Sequence, residues 1–168
     1  MAEEKVLEGS ETHIAQVGVV VKNLDQTIEF LTSLGLGPFD VRSAIHTSAT
    51  VHGKRVSYEN KLALAQQGPV QLELIEYQKG ETIHKEFLDD KGEGLHHILF
   101  KVRDLEATLD KFARKGITPL QQDSFVGGGG IAYLNNGKPG GIIIEVIQLS
   151  PDYDPKIGLK WRTCAEFD

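Results

Sequence analysis

Two pairs of side chains in this chain could together bind a divalent metal ion, and each pair occupies equivalent positions in two similar stretches of sequence. Gln16 corresponds to His97, and Glu73 corresponds to Glu145. Three oxygen donors and one imidazole suit a cation such as Zn, Ni, Co or Mn, with positions left open for water or substrate. The sequence therefore predicts one metal centre built from both stretches, without selecting among these metals.

The correspondence between Gln16 and His97 comes from a repeat of one strand, one helix and one turn. Lys22-Asn23-Leu24 matches Arg103-Asp104-Leu105, 81 positions later. The same offset aligns further apolar and turn residues: Val17 with Ile98, Val19 with Phe100, Val21 with Val102, Ile28 with Leu109, Leu31 with Phe112, Gly35 with Gly116 and Pro38 with Pro119. Similarity at a fixed offset indicates duplicated architecture. A lone strand histidine is more often structural than a ligand, and it is the repeat that favours a ligand here.

The two carboxylates lie in the middle of apolar stretches that also match each other. Glu73 lies within Val70 to Glu76, and Glu145 lies 72 positions later, within Ile142 to Gln148. A buried ion without a partner costs several kcal/mol, so such groups are usually paired or metal-bound. The alternative, that one face of each strand is simply solvated, stays open and is weaker for Glu145, which has Ile143 and Ile147 on its own face.

The elements around these residues form two modules with the order strand, helix and three strands. We expect a first module over residues 13–79, a linker helix over 80–93 and a second module over 94–149. Residues 1–12 are predicted to be a flexible lead, and 150–168 a tail outside the repeat. This order predicts an α+β fold in which the two modules share one core.

Composition limits the function further. The chain has 168 residues, a net charge of −6, 40% apolar and 25% charged residues, which is typical of a soluble globular protein without a basic nucleic-acid surface. No apolar run reaches the roughly 18 residues of a membrane span, and the first residues lack a signal-peptide core. A single cysteine excludes an internal disulfide framework. These features favour a cytoplasmic protein that binds neither nucleic acid nor membrane.

Four segments of the chain resemble the vicinal oxygen chelate superfamily, which includes glyoxalase I, methylmalonyl-CoA epimerase, extradiol dioxygenases and fosfomycin-resistance proteins. GEGLHHILFKVRDLEATL resembles the epimerase segment whose second histidine is a metal ligand, here His97. LELIEY and GGIIIEVIQL resemble the strands that carry the carboxylate ligands, here Glu73 and Glu145. AQVGVVVKNL resembles the first strand, with Gln16 at the ligand position, as in some glyoxalase I enzymes. The resemblance covers about residues 14–149 and implies two βαβββ modules that form a curved, partly open, barrel-like sheet.

The same resemblance implies a metal-dependent isomerase or lyase, most similar to methylmalonyl-CoA epimerase. Such an enzyme removes the proton α to the carbonyl of a small acyl thioester, or of a related substrate that chelates through oxygen, and stabilises the enolate. Glu73 or Glu145 would transfer the proton, and Glu59 is a possible base that is not a ligand. The alternatives are a lactoylglutathione lyase and a binding protein of the bleomycin-resistance kind that performs no chemistry. Relatives commonly form homodimers, so we expect a homodimer.

Several other features are not expected to act chemically. The remaining histidines match no ligand position and are predicted to be structural or surface groups; they are His13, His46, His52, His84 and His96. Gly127 to Gly130 precedes a strand, whereas a dinucleotide-binding loop precedes a helix. Cys164 has no histidine paired with it by any motif, so a nucleophilic role is not predicted.

Overall fold

Eight strands and three helices occur in the part of the chain that the computed structural model describes, which comprises residues 5–8, 12–125, 128–135, 137 and 140–150. The first half contains β1 (Ile14–Val21), α1 (Leu24–Ser33), β2 (Asp40–Val51), β3 (Lys54–Gln67) and β4 (Val70–Gly80). Helix α2 (Ile83–Lys91) follows. The second half contains β5 (Gly94–Lys101), α3 (Leu105–Arg114), β6 (Pro119–Ser124), β7 (Gly130–Leu134) and β8 (Ile143–Gln148). The predicted α+β class is confirmed.

The eight strands close into one barrel in the cyclic order β1-β4-β3-β2-β6-β7-β8-β5. Within each half the first and last strands pair in parallel, β1 with β4 and β5 with β8. The halves join where β1 pairs with β5 and where β2 pairs with β6. The barrel was expected to be partly open; it closes because Thr50 and Val51 of β2 pair with Gln122 and Gln121 of β6. This closure makes both halves line one interior.

Helices α1 and α3 begin at equivalent caps and cover the outside of the barrel. The side chain of Asn23 accepts a hydrogen bond from the Gln26 backbone amide, and Asp104 accepts one from Ala107, each at 2.9 Å. Such caps satisfy amides that the first helical turn leaves free. Leu24 of α1 packs against Leu74 and Ala63, in the cluster that also contains Val21. The outer faces of the strands are therefore the apolar faces that the helices bury.

A matching cluster lies under α3, and a third forms inside the barrel. Phe112 of α3 packs with residues of β7 and β8, among them Leu134 and Val146. In the third cluster, Ile83 at the start of α2 packs with inward residues such as Leu99 and Ile147. Helix α2 thereby contributes its first turn to the interior.

The ends of the chain lie largely outside the described residues. Val6 and Leu7 of the predicted lead pack against the cluster under α3. The predicted tail, with Cys164, falls on residues that are not described, apart from its first residue, Ser150. None of the helices in the described ranges has the length and hydropathy that crossing a membrane requires. The module limits stay predictions.

Candidate metal centre in the barrel interior

The barrel interior is polar, because every strand contributes a buried polar or tyrosine side chain to it. These residues are Gln16 of β1, His46 of β2, Tyr58 and Asn60 of β3, Glu73 of β4, His97 of β5, Gln121 and Asp123 of β6, Tyr133 of β7 and Glu145 of β8. Many of them line a cavity of about 60 Å³, enough for a few water molecules. Buried polar groups are costly unless they are paired or bind a ligand, so this interior is a candidate site.

Glu73, His97 and Glu145 form its most compact group. The Nε2 atom of His97 lies 2.9 Å from Glu145 Oε2 and 3.4 Å from Glu73 Oε2. His97 is completely buried, and Glu73 and Glu145 are 7% and 4% exposed. One oxygen or nitrogen of each residue lies within 4.8 Å of the others. Donors bound to one zinc ion lie about 2.0–2.2 Å from it, so this spacing is compatible with a shared cation.

The hydrogen bonding of this group also fits a metal ion. His97 Nε2 and Glu145 Oε2 are both fully buried, and neither has a hydrogen-bond partner with suitable geometry among the described residues. Two carboxylates beside one imidazole leave excess negative charge in a barrel interior where all three side chains are almost fully buried. A divalent cation would bind the unpartnered atoms and neutralise that charge, and the donor set suits Zn, Ni, Co or Mn.

The pKa values of His97 and Glu145 are shifted because the two side chains are buried close together. Burial by itself would lower the pKa of His97, but the negative charge of Glu145 and the proximity of Glu73 raise it to about 9. Burial raises the pKa of Glu145 above its usual range, and the charge of His97 partly offsets this. Around neutral pH the imidazolium thus occupies the position of the positive charge that a metal would supply.

Gly18 of β1 provides the space in which the His97 ring lies. The two residues face each other across the β1–β5 pairing. A Cβ atom at position 18 would lie 2.0 Å from Cε1 and 2.3 Å from Nε2 of His97, closer than atoms can approach. Any larger residue here would displace the imidazole. The sequence analysis missed this role, although a glycine inside a strand is a signal of close approach.

Gln16 lines the same cavity as Glu73 and Glu145. Its side-chain amide nitrogen donates a hydrogen bond of 2.7 Å to Gln71 Oε1. This bond engages the nitrogen and not the oxygen that would bind a metal. All four predicted ligands are thus buried in one interior, three of them as a compact group and Gln16 beside it.

A second potential ligand group, made of His84, His96 and His97, shares one residue with the first. His97 faces Gly18 while Leu95 faces Val19, so β5 has one extra residue, His96, at this point. Such a bulge redirects side chains, and both imidazoles are buried, with their Nδ1 atoms 2.9 Å apart. Since Nδ1 of His97 meets His96, its Nε2 is left for the carboxylates. His84 and His96, which the sequence predicts to be structural or surface groups, are thus buried beside the candidate ligand His97.

The remaining predicted residues do not line the cavity; they are His13, His52 and Glu59. His13 is exposed, and His52 forms an ion pair with Glu86 at the surface, as a structural or surface role predicts. Glu59 lies between the inward residues Tyr58 and Asn60, and it pairs with Lys79 at 2.9 Å. It does not line the cavity, so the possibility that it is the base was wrong.

His46, which the sequence predicts to be a structural or surface group, also lies in the interior. It is 7% exposed and lines the cavity. Its Nδ1 lies 2.5 Å from Asp123 Oδ2, and its ring stacks on Tyr58 at 4.4 Å between centroids. These residues come from three strands and share no motif, so no sequence signal could have joined them.

Comparison with known proteins gives one family and several similar folds. The model of the glyoxalase/bleomycin resistance protein/dioxygenase superfamily matches residues 15–134. The uncharacterized protein YqjC of Bacillus subtilis is 27% identical over 131 residues, which cover 73% of this chain and 94% of YqjC.

Solved structures show the same fold at lower identity. Methylmalonyl-CoA epimerase from Mycobacterium tuberculosis has a TM-score of 0.59 and 21% identity, covering 90% of this chain and 94% of that one. A Streptomyces coelicolor methylmalonyl-CoA epimerase variant in complex with 2-nitronate-propionyl-CoA has a TM-score of 0.61 and 23% identity, covering 86% and 99%. The family model spans most of the barrel and includes Gln16, Glu73 and His97. The chain therefore belongs to the glyoxalase/bleomycin resistance protein/dioxygenase superfamily.

Proposed function

We propose that this protein is a metal-dependent isomerase that removes the proton α to the carbonyl of a small acyl thioester, as a methylmalonyl-CoA epimerase does. The observation that carries the proposal is the convergence of Glu73, His97 and Glu145 in a polar interior, with unpartnered buried atoms on His97 and Glu145. The fold shared with epimerases that bind acyl-CoA ligands supports the choice of substrate class.

His97, Glu73 and Glu145 would hold the cation, with the side-chain oxygen of Gln16 as a fourth donor. When bound there, a divalent cation stabilises the negative charge that develops on the substrate oxygen as the α-proton leaves. The roles of the protein groups are to bind, orient and move a proton. Glu145 and Glu73 are the carboxylates that can accept or return it.

Tyrosine hydroxyls surround these carboxylates and remain protonated. Burial, followed by the charges of Glu145 and Glu73, raises the pKa of Tyr133 well above its usual value. Burial and the charge of Asp123 do the same for Tyr58. The hydroxyl of Tyr133 in turn acts to lower the pKa of Glu145, against the larger effect of burial. A neutral donor beside Glu145 orients the carboxylate and leaves its charge in place.

The test measures metal content and α-proton exchange on the same samples. Elemental analysis of protein purified without added metal should find a divalent cation, and methylmalonyl-CoA in D₂O should gain deuterium at the α-carbon. In His97→Ala, which removes the imidazole donor, metal content and exchange should fall together. A wild-type protein that holds no metal and exchanges no α-proton would contradict the proposal.

Glu145→Gln separates metal binding from proton transfer, because it keeps an oxygen donor and removes the basicity. If Glu145 transfers the proton, the variant should keep much of its metal and lose turnover by about 10²-fold or more. If Glu145 is a ligand alone, metal content and turnover should fall together, and added metal should restore both. An unchanged metal content and rate would exclude both roles.

A further inference from the structure

The buried pair His46–Asp123 is a group of titratable side chains that the proposed mechanism leaves unused, and its histidine lines the cavity. Asp123 Oδ2 lies 2.5 Å from His46 Nδ1. The other carboxylate oxygen, Oδ1, accepts the Ser124 backbone amide at 2.9 Å and the Ser48 hydroxyl at 3.4 Å. The carboxylate is therefore fixed from both sides, and it holds the imidazole in one orientation.

The contacts of the His46 ring leave Nε2 as its chemically available atom. Nδ1 is bonded to Asp123, and one ring face stacks on Tyr58 with an interplanar angle of 10°. Tyr58 is itself anchored, because its hydroxyl accepts a 3.0 Å hydrogen bond from Gln121 Nε2. A carboxylate that accepts the Nδ1 proton selects the tautomer in which Nε2 is a free base. His46 lines the same cavity as Glu73 and Glu145.

The strand order puts this pair opposite His97 and Gln16, whereas Glu145 on β8 and Glu73 on β4 lie three and two strands from His46 on β2. Around the barrel, β2 with His46 is four strands from β5 with His97, and β6 with Asp123 is four strands from β1 with Gln16. A group bound in the cavity would therefore meet Glu145 and the His46 imidazole from two separate strands, three apart in the order of eight. Inverting a carbon needs this arrangement, because the proton leaves one face and returns to the other.

We infer that His46 is a second proton-transfer residue, held by Asp123, which faces the carboxylates across the substrate; this inference rests on the proposed function. The bond between the α-carbon and its hydrogen breaks, its electron pair stays with the substrate as an enolate, and the proton goes to His46 Nε2. Glu145 in its protonated form gives its proton to the opposite face and becomes a carboxylate, and in the reverse direction the two residues exchange roles. A carboxylate that binds a metal is a weak base, and His46 supplies a base that is not among the candidate ligands.

The inference predicts opposite defects for the two proton-transfer groups. In His46→Gln, epimerisation should fall by about 10²-fold or more, and α-deuterium exchange should be lost for one epimer of methylmalonyl-CoA and kept for the other. In Glu145→Gln the other epimer should lose exchange. The metal content of His46→Gln should match that of the wild type, because His46 is not among the candidate ligands. His52→Gln, which changes an exposed histidine, is the matched control and should keep wild-type rates.

Asp123→Asn tests the positioning role without removing the base. An amide that donates to Nδ1 favours the tautomer with its proton on Nε2, so kcat should fall about 10²-fold or more while KM and metal content stay unchanged. A purely structural Asp123 would instead lower the unfolding midpoint and leave kcat of the folded protein intact. If His46→Gln and Asp123→Asn both exchange both epimers within threefold of the wild type, the inference is overturned and the proposed function stands.

A chemical probe keeps the test independent of the substrate. Bromoacetate should alkylate His46 Nε2, forming a nitrogen–carbon bond and releasing bromide, and peptide mapping locates the label. Labelling of His46 should slow about tenfold or more in Asp123→Asn, because the free Nε2 base is the nucleophile. If the wild type exchanges no α-proton, the proposed function fails, and equal labelling of His46 in the wild type and in Asp123→Asn overturns the inference as well.

Discussion

At the scale of single residues, the position of His97 depends on Gly18, because glycine has no Cβ atom. The imidazole occupies the space that a Cβ would fill, and its two nitrogens then face different groups. Nδ1 meets His96 at 2.9 Å, and Nε2 meets Glu145 at 2.9 Å. A ligand histidine is oriented by what its second nitrogen bonds. Here the neighbouring imidazole and the glycine fix the ring together.

Gly18→Ala should displace this ring and weaken metal binding. The added methyl overlaps Cε1 and Nε2 of His97, so we expect metal affinity to fall about tenfold or more, with a loss of about 1–3 kcal/mol in the free energy of unfolding. Elemental analysis and urea unfolding measure the two effects. Val17→Ile, which adds one carbon at a half-buried site on the same strand, is the control. Unchanged metal content in Gly18→Ala would show that Gly18 does not position the ring.

At the scale of elements, the sequence repeat predicted most of the fold. The caps Asn23 and Asp104, 81 positions apart, both begin helices, and Glu73 and Glu145 both lie on closing strands. The repeat succeeds because each half must bury the same apolar strand faces under an equivalent helix. Closure between β2 and β6 was not predicted, since Thr50 and Gln122 belong to different halves and carry no pairing signal.

The interior was only partly predictable, for two physical reasons. Strand alternation places His96 and His97 on opposite faces, but the bulge in β5 buries both in the interior. His46 and Asp123 are 77 positions apart and come from strands outside the duplicated strand–helix segment. Glu73, His97 and Glu145 could be predicted because each lies on a strand that the repeat defines.

Gln121 of β6 links the start of α2 to β3 through hydrogen bonds, and its loss should destabilise the fold. Its Oε1 accepts the Ile83 amide and the Thr82 hydroxyl, each at 3.0 Å, and its Nε2 donates to Tyr58. Gln121→Ala leaves these buried groups without a partner, at a cost of about 2–4 kcal/mol in the free energy of unfolding.

Urea unfolding measures this cost, and Gln122→Ala is the matched control because Gln122 is the exposed neighbour on the same strand. The midpoint of Gln122→Ala should stay near that of the wild type. Equal midpoints for the two variants would mean that the contacts of Gln121 contribute nothing to stability.

At the scale of the whole molecule, the closed barrel makes the candidate centre a property of both halves. Gln16 and Glu73 come from the first half, and His97 and Glu145 from the second. Neither half alone holds the three-residue group, so a bound cation would cross-link the halves. The candidate ligands all come from one chain, so the site itself does not require a second copy. The expected homodimer stays a prediction.

A cation that joins the two halves should stabilise the folded protein as a unit. A ligand that binds the native state alone adds about 2.7 kcal/mol at a free concentration of 100 times Kd. For a chain of this size that corresponds to a rise of about 5–10 °C in Tm. Scanning calorimetry of chelator-treated protein, before and after addition of Zn²⁺, measures the rise.

His52→Ala, altered at an exposed histidine, should show the full rise in Tm, and His97→Ala should show little of it. A rise of equal size in His97→Ala would place the stabilising cation elsewhere, because His97 is the residue on which both carboxylates converge.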